Sequence, residues 1–136
     1  MTLTIGQVAK AARVNVETLR YYERRRLVPK PPRGPSLYRH YPEDTVPRVQ
    51  FVEHAQELGF PLREIRGLLS FRATPKARCA DVRRRAEIKI GEIETKICTL
   101  RAMRSALKRL VSQCDGKLPA SACPILESLD DRRESA

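Results

Sequence analysis

No uninterrupted apolar run of about 18 residues occurs anywhere in the chain, which excludes a helical membrane span. The opening stretch "MTLTIGQVAKAARV" lacks the basic start and long apolar segment of a secretory signal, so a cytoplasmic protein is expected. Enzyme signatures are missing as well. No nucleophile sits beside a base, no glycine-rich phosphate loop is present, and no carboxylate pair falls at a plausible pocket. Histidine is scarce: His40 and His54 are the only two, both in the first half. In a reducing compartment the four cysteines read as metal ligands or core residues rather than disulfides.

The 136 residues suit one ordinary domain or two small ones, and their formal net charge is +11. That charge is uneven. Residues 1–78 carry 15 Lys and Arg against 7 Asp and Glu, whereas residues 79–136 carry 12 against 9. A basic first half points to a polyanion, most simply nucleic acid; the plainer alternative is a solvated basic surface.

Thr4 with Gln7 three residues later forms a capping box, predicting a helix over "IGQVAKAA". Asn15 caps a second helix, "VETLRYYERRR", and two short capped helices joined by a tight turn make a helix-turn-helix. Val16, Leu19 and Tyr22 recur at helical spacing and should face the core, leaving Glu17, Thr18, Arg20, Tyr21 and Arg24 outward, where Arg20 can reach guanine edges or phosphates. The Pro- and Gly-rich segment that follows leads into "SLYRHY", which alternates like a strand. A turn at Arg33 and Gly34 makes this a hairpin wing, with Arg33, Tyr38, Arg39 and Tyr41 assigned to DNA and Arg33, Arg39 and Tyr41 along a phosphate backbone. Next comes a second helix pair. Val49, Phe51, Val52 and Ala55 form the buried face of the first, Gly59 stops it, and Pro61 opens the second. Pro47 must fall in the first turn or bend its helix.

From Ala80 to Cys114 there is no proline. Ala86, Ile90, Ile93, Ile97, Leu100, Arg104, Leu107 and Val111 are spaced alternately by four and three, and only Arg104 interrupts the apolar seam. A helix of about 35 residues is roughly 52 Å long and cannot bury this stripe on a small domain, so a homodimer is predicted. The seam extends to Cys79 and Cys114, five heptads apart. Parallel pairing sets each thiol beside its own copy. Antiparallel pairing sets Cys79 of one chain opposite Cys114 of the other, and Cys123, on the loop "CDGKLPASAC", can fold back as a third ligand. Cys98 has no ligand partner and reads as structural or incidental. Three thiolates suit a thiophilic ion. A three-coordinate mercuric ion needs nothing more, and with Asp115 able to add oxygen, zinc, cadmium and lead stay open.

The stretches "LTIGQVAKAARVNVETLRYYERRRLV", "YRHY" and "VQFVEHAQELGFPLREIRGLL" resemble the MerR family of metal-responsive transcription regulators, over residues 3 to about 129. The triad Cys79, Cys114 and Cys123, with Pro124 after the last thiol, is most similar to the mercury-sensing branch. The resemblance implies an all-α fold with a small β wing: a winged helix-turn-helix dimer joined by an antiparallel coiled coil, with a C-terminal metal-binding loop. It also implies a palindromic double-stranded operator inside an overlong promoter. Hg(II) at thiols from both subunits would underwind the DNA, so that RNA polymerase engages both promoter elements; Pb(II), Cd(II) and Zn(II), or a regulator of the same family that senses oxidation of the thiols, are the alternatives. Arg13 stands where the family usually has glycine. The zinc branch adds a histidine or an adjacent second cysteine in the loop, and neither is present here. The expected division is a DNA-binding domain over 1–71, a linker over 72–79, a dimerisation helix over 80–114, a metal-binding loop and short helix over 115–129, and a disordered tail over 130–136.

Overall fold

In a computed structural model, described over residues 1–34 and 38–131, the chain is mostly helical with one two-stranded sheet. Strand β1 (Thr2–Leu3) is followed by α1 (Ile5–Ala12) and α2 (Val16–Arg24), then β2 (Tyr41–Pro42), α3 (Thr45–Glu57) and α4 (Leu62–Ala73). The long α5 (Cys79–Ser112), a 3-10 turn (Ala120–Ala122) and α6 (Pro124–Asp131) complete it. Two compact units divide within α5, after Lys89.

The first unit has its own core. Val8 and Ala12 of α1, Leu19 and Tyr22 of α2, Leu27, Val28, Tyr41, Val49, Val52 and Ala55 of α3, and Ile65 and Leu69 of α4 are buried together. Each large aliphatic side chain fully removed from water contributes about 1.5–3 kcal/mol. The capping box is present as read: the Gln7 amide N–H donates to Thr4 Oγ1 at 3.2 Å, and the Thr4 N–H donates to Gln7 Oε1 at 2.9 Å. Arg13 closes α1 in the left-handed region (φ 61°, ψ 42°), a conformation that costs a non-glycine residue about 1–2 kcal/mol. The turn where the family usually has glycine is therefore formed here with an arginine inside it. Pro47 is the third residue of α3, where no N–H is owed to the helix ladder.

Four expectations are corrected. Helix α2 ends at Arg24; Arg26 is left-handed (φ 59°) and turns the chain back so that the Leu27 N–H reaches the Tyr22 carbonyl at 2.9 Å. Among the described residues of the expected strand "SLYRHY", only Tyr41 is in a ladder, antiparallel to β1 with Tyr41 opposite Leu3. Among the described residues the wing is closed by one bridge, between Arg33 and Arg39, because a segment with four prolines has few N–H donors to build a ladder. Residues 35–37 of that hairpin lie outside the described residues. Phe51 is only half-buried; the Arg72 guanidinium lies 5.2 Å from its ring centroid. Finally, α6 includes Asp130 and Asp131, which the sequence reading gave to the tail, since polarity alone misjudges a helix end by one or two residues. Residues 132–136 of that tail lie outside the described residues.

Candidate DNA interface and thiol site

The turn between α1 and α2 is short because both ends are capped. The Arg13 N–H donates to Lys10 (3.2 Å) and the Val14 N–H to Ala9 (3.0 Å), and Asn15 Oδ1 accepts from the Thr18 N–H at 2.7 Å. This geometry turns Glu17, Arg20, Tyr21 and Arg24 to solvent, with Thr18 half-buried. The outward side chains organise one another. Arg20 Nη1 lies 3.2 Å from Glu17 Oε1, and the Arg24 guanidinium lies 5.8 Å from the Tyr21 ring centroid.

Between α2 and the wing lies an open cleft of about 520 Å³. Arg20, Arg24, Lys30, Arg33 and Arg39 line it, against one acid, Glu23. Tyr38 stands exposed at its edge. Arg39 Nε donates to the Pro31 carbonyl at 3.0 Å, which ties the two arms of the wing together. A concave surface with five cations and hydroxyl donors suits a phosphate backbone. Lys30 escaped the sequence reading, hidden between prolines in "VPKPPR".

Tyr41 departs from its expected place along a backbone. Its ring is core, 1% exposed, and its hydroxyl donates to Glu23 Oε2 at 3.0 Å. Burial, then the hydrogen bond to Glu23, pushes its pKa up to about 12. It positions α2 from behind. Tyr22 does the same on the other side of that helix, its hydroxyl placed between Glu53 and Gln56 of α3 (2.8 Å to the latter). Burial and the Glu53 hydrogen bond raise its pKa far beyond the ordinary tyrosine range.

Two of the three predicted ligands, Cys114 and Cys123, lie in the second unit, at the two ends of the loop between α5 and α6. Cys114 follows α5, its N–H donating to Val111 at 3.1 Å. Asp115 accepts from the Lys117 N–H at 2.9 Å, and Gly116 (φ 78°) turns the chain. Cys123 then ends the 3-10 turn and starts α6, with its carbonyl accepting from the Glu127 N–H at 3.1 Å. Its sulfur faces the backbone N–H groups of Leu126 and Ile125 and shares a hydrogen bond with Cys114. Those two N–H groups, Leu126 first, hold the Cys123 thiol below its ordinary pKa of 9.0; contact with Cys114 acts the same way, and burial opposes it. Cys79 opens α5 and is exposed, as is Cys98. Among the described residues of one chain, no three His, Cys, Asp or Glu side chains gather as a metal site.

Comparison with known proteins matches both halves. A family model described as MerR HTH family regulatory protein covers residues 3–71, and one described as MerR, DNA binding covers 46–110. The chain is 41% identical over 132 residues to the mercuric resistance operon regulatory protein of Serratia marcescens, spanning 97% of this chain and 90% of that one. It is 37% identical over 128 residues to the HTH-type transcriptional regulator ZntR of Escherichia coli, spanning 93% and 91%. The lead(II) complex of the transcription regulator PbrR691 from Ralstonia metallidurans superposes with a TM-score of 0.83 at 34% identity, covering 93% of this chain and 98% of that one.

Proposed function

The chain belongs to the MerR family of helix-turn-helix transcription regulators and is not an enzyme; from that premise we propose that it is a mercury-responsive regulator that binds a double-stranded operator as a homodimer. The α2 face with Glu17, Thr18, Arg20, Tyr21 and Arg24 enters the major groove. Arg33, Tyr38 and Arg39 of the wing, with Lys30, follow the phosphates, and Tyr41 holds α2 in place.

The observation that carries the metal reading is the placement of Cys114 and Cys123 at the two ends of one short loop, between the end of α5 and the start of α6; the first amides of α6 also hold the Cys123 thiol below its ordinary range. Two sulfurs at one end of α5 leave a three-sulfur set short by one. A 34-residue helix rises about 51 Å, so the Cys79 at its far end serves the partner's pair if two α5 helices lie antiparallel. Supporting that pairing, Ile90, Ile93, Ile97, Leu100, Leu107 and Val111 are each 40–61% exposed in one chain, an apolar stripe without cover. The donor set fits Hg(II), whose chemistry is satisfied by three thiolates, and the relatives named for mercuric resistance favour it. The likeness to the regulator ZntR and to the lead(II) complex of PbrR691 keeps Pb(II), Cd(II) and Zn(II) as the second reading. With metal bound, the dimer would distort the operator so that RNA polymerase can engage the promoter.

Titration of the reduced protein with Hg(II), followed by ultraviolet thiolate-to-metal bands in excess small thiol, should plateau at one ion per dimer. Preference for Pb(II) or Cd(II) under the same competition would move the assignment to that ion. Mixing Cys79→Ala with Cys114→Ala subunits should restore binding that neither variant shows alone, and its failure would refute the shared site.

A further inference from the structure

Helix α5 meets the DNA-binding unit through side chains of an unusual kind. Lys89 is the one buried residue that α5 has among the described residues. Its side chain is 9% exposed, with Nζ 2.8 Å from Glu64 Oε1 of α4 and 5.3 Å from the centroid of Phe60. Its Cδ lies 3.9 Å from where a Cβ on Gly59 would stand, so its stem passes that glycine at ordinary van der Waals distance. One turn earlier on α5, the Arg85 guanidinium is 5.4 Å from the centroid of Phe71, and its Nη1 is 3.7 Å from the Cβ position of Gly67. Glu64, Gly67 and Phe71 recur at three and four residues and share one face of α4; Arg85 and Lys89, four apart, share one face of α5. The joint is thus two long cations on a carboxylate and two aromatic rings.

On its other side, α4 reaches the recognition helix. Arg66 lies two positions after Glu64, roughly 200° around the helix, and its guanidinium donates to the Arg25 carbonyl at the end of α2. Arg48 of α3 donates to the Leu27 carbonyl at 2.6 Å, fixing the same segment. Helix α4 therefore stands between α5 and the C-terminal end of α2, with polar contacts to each.

We propose that the Lys89 and Arg85 contacts form a latch that seats α5 on α4, and that through Arg66 this latch conveys the position of α5 to the recognition helix. An apolar interface of small area either holds or opens, but long cations over rings and a carboxylate can shift register while staying paired. That is what a joint needs if it must carry a change in α5 without losing the fold. The signalling half rests on the metal-responsive reading above; the mechanical half does not.

The test uses the full chain with Lys89→Met, which keeps the apolar stem and removes the charge, and the swap Lys89→Glu with Glu64→Lys. Amide exchange in residues 62–73 and 80–88 should rise about tenfold in Lys89→Met, while the α1 and α3 core amides keep their protection. Metal-free operator affinity should stay within roughly threefold of the parent, and the Hg(II) charge-transfer band should be unchanged. Hg(II)-dependent transcription should fall about tenfold or more and recover in the charge swap. Unchanged exchange in α4, or a full transcriptional response in Lys89→Met, would overturn the latch. If the parent chain gives no band with Hg(II), Pb(II), Cd(II) or Zn(II), the metal reading fails instead. The latch then stands or falls on the exchange data: faster exchange in α4 supports it and parental exchange refutes it.

Discussion

The two units of this chain solve burial in opposite ways. Up to Lys89, a dozen side chains from α1, α2, β2, α3, α4 and their connections close a core within one molecule. Beyond Lys89 no described residue is buried, although isoleucine, leucine, methionine and valine recur along α5. Apolar content does not distinguish the halves; what differs is whether the covering surface lies in the same chain. On the function proposed above, the first unit grips a charged polymer and the second is completed by another copy of the chain.

The largest effect should come from breaking the self-contained half. Ile65→Ala, at a fully buried position, is expected to cost about 2–5 kcal/mol by removing methylenes and leaving a cavity, read by urea denaturation; a loss below about 1 kcal/mol would mean the core is far looser than its burial implies. On the other half, Ile97→Asp should leave the folding of residues 1–89 intact while moving the protein from dimer to monomer in sedimentation equilibrium. A dimer that persists at micromolar concentration would move the interface off this seam.

Smaller effects sharpen the contrast. Asn15→Ala removes the cap of α2 and should cost about 1 kcal/mol together with operator affinity. Arg13→Gly should do the reverse, relieving the left-handed arginine at the expense of chain entropy, for a net gain of about 0.5 kcal/mol; a destabilised variant would show that the side chain makes compensating contacts. In the second unit, Cys123 should alkylate with a pH midpoint below 9.0, because its folded pKa is depressed. Peptide mapping after iodoacetamide labelling across pH checks this, and a midpoint at or above 9.0 would mean that the α6 amides do not reach the sulfur.

Where the sequence was informative, local chemistry was decisive. Thr4 with Gln7, and Asn15, are caps whose partners lie three residues away, so the start of each helix was readable from a few letters. The unbroken length of α5 was readable for the same reason, the stretch lacking proline and repeating its apolar residues at helical spacing. Tyr41 was misread because its partners, Leu3 in the sheet and Glu23 across the cleft, are distant in sequence, and an aromatic beside Arg39 looks like a surface residue until the fold encloses it. Lys30 and Lys89 share a difficulty: a lysine flanked by prolines or by isoleucines carries no mark of the cleft it lines or the carboxylate it meets. That Cys114 and Cys123 bound one loop could be read from the sequence, but the amides that acidify Cys123 follow from where α6 begins, which only the three-dimensional path fixes.

That last arrangement makes one atom answer to two masters. The sulfur that would bind an ion also stands beside the first amides of α6, so charge, alkylation or oxidation at that atom is felt by the opening turn of that helix. The amide resonances of Ile125 and Leu126 are thereby a built-in spectator of the thiol's chemical state, readable without a label and without touching DNA.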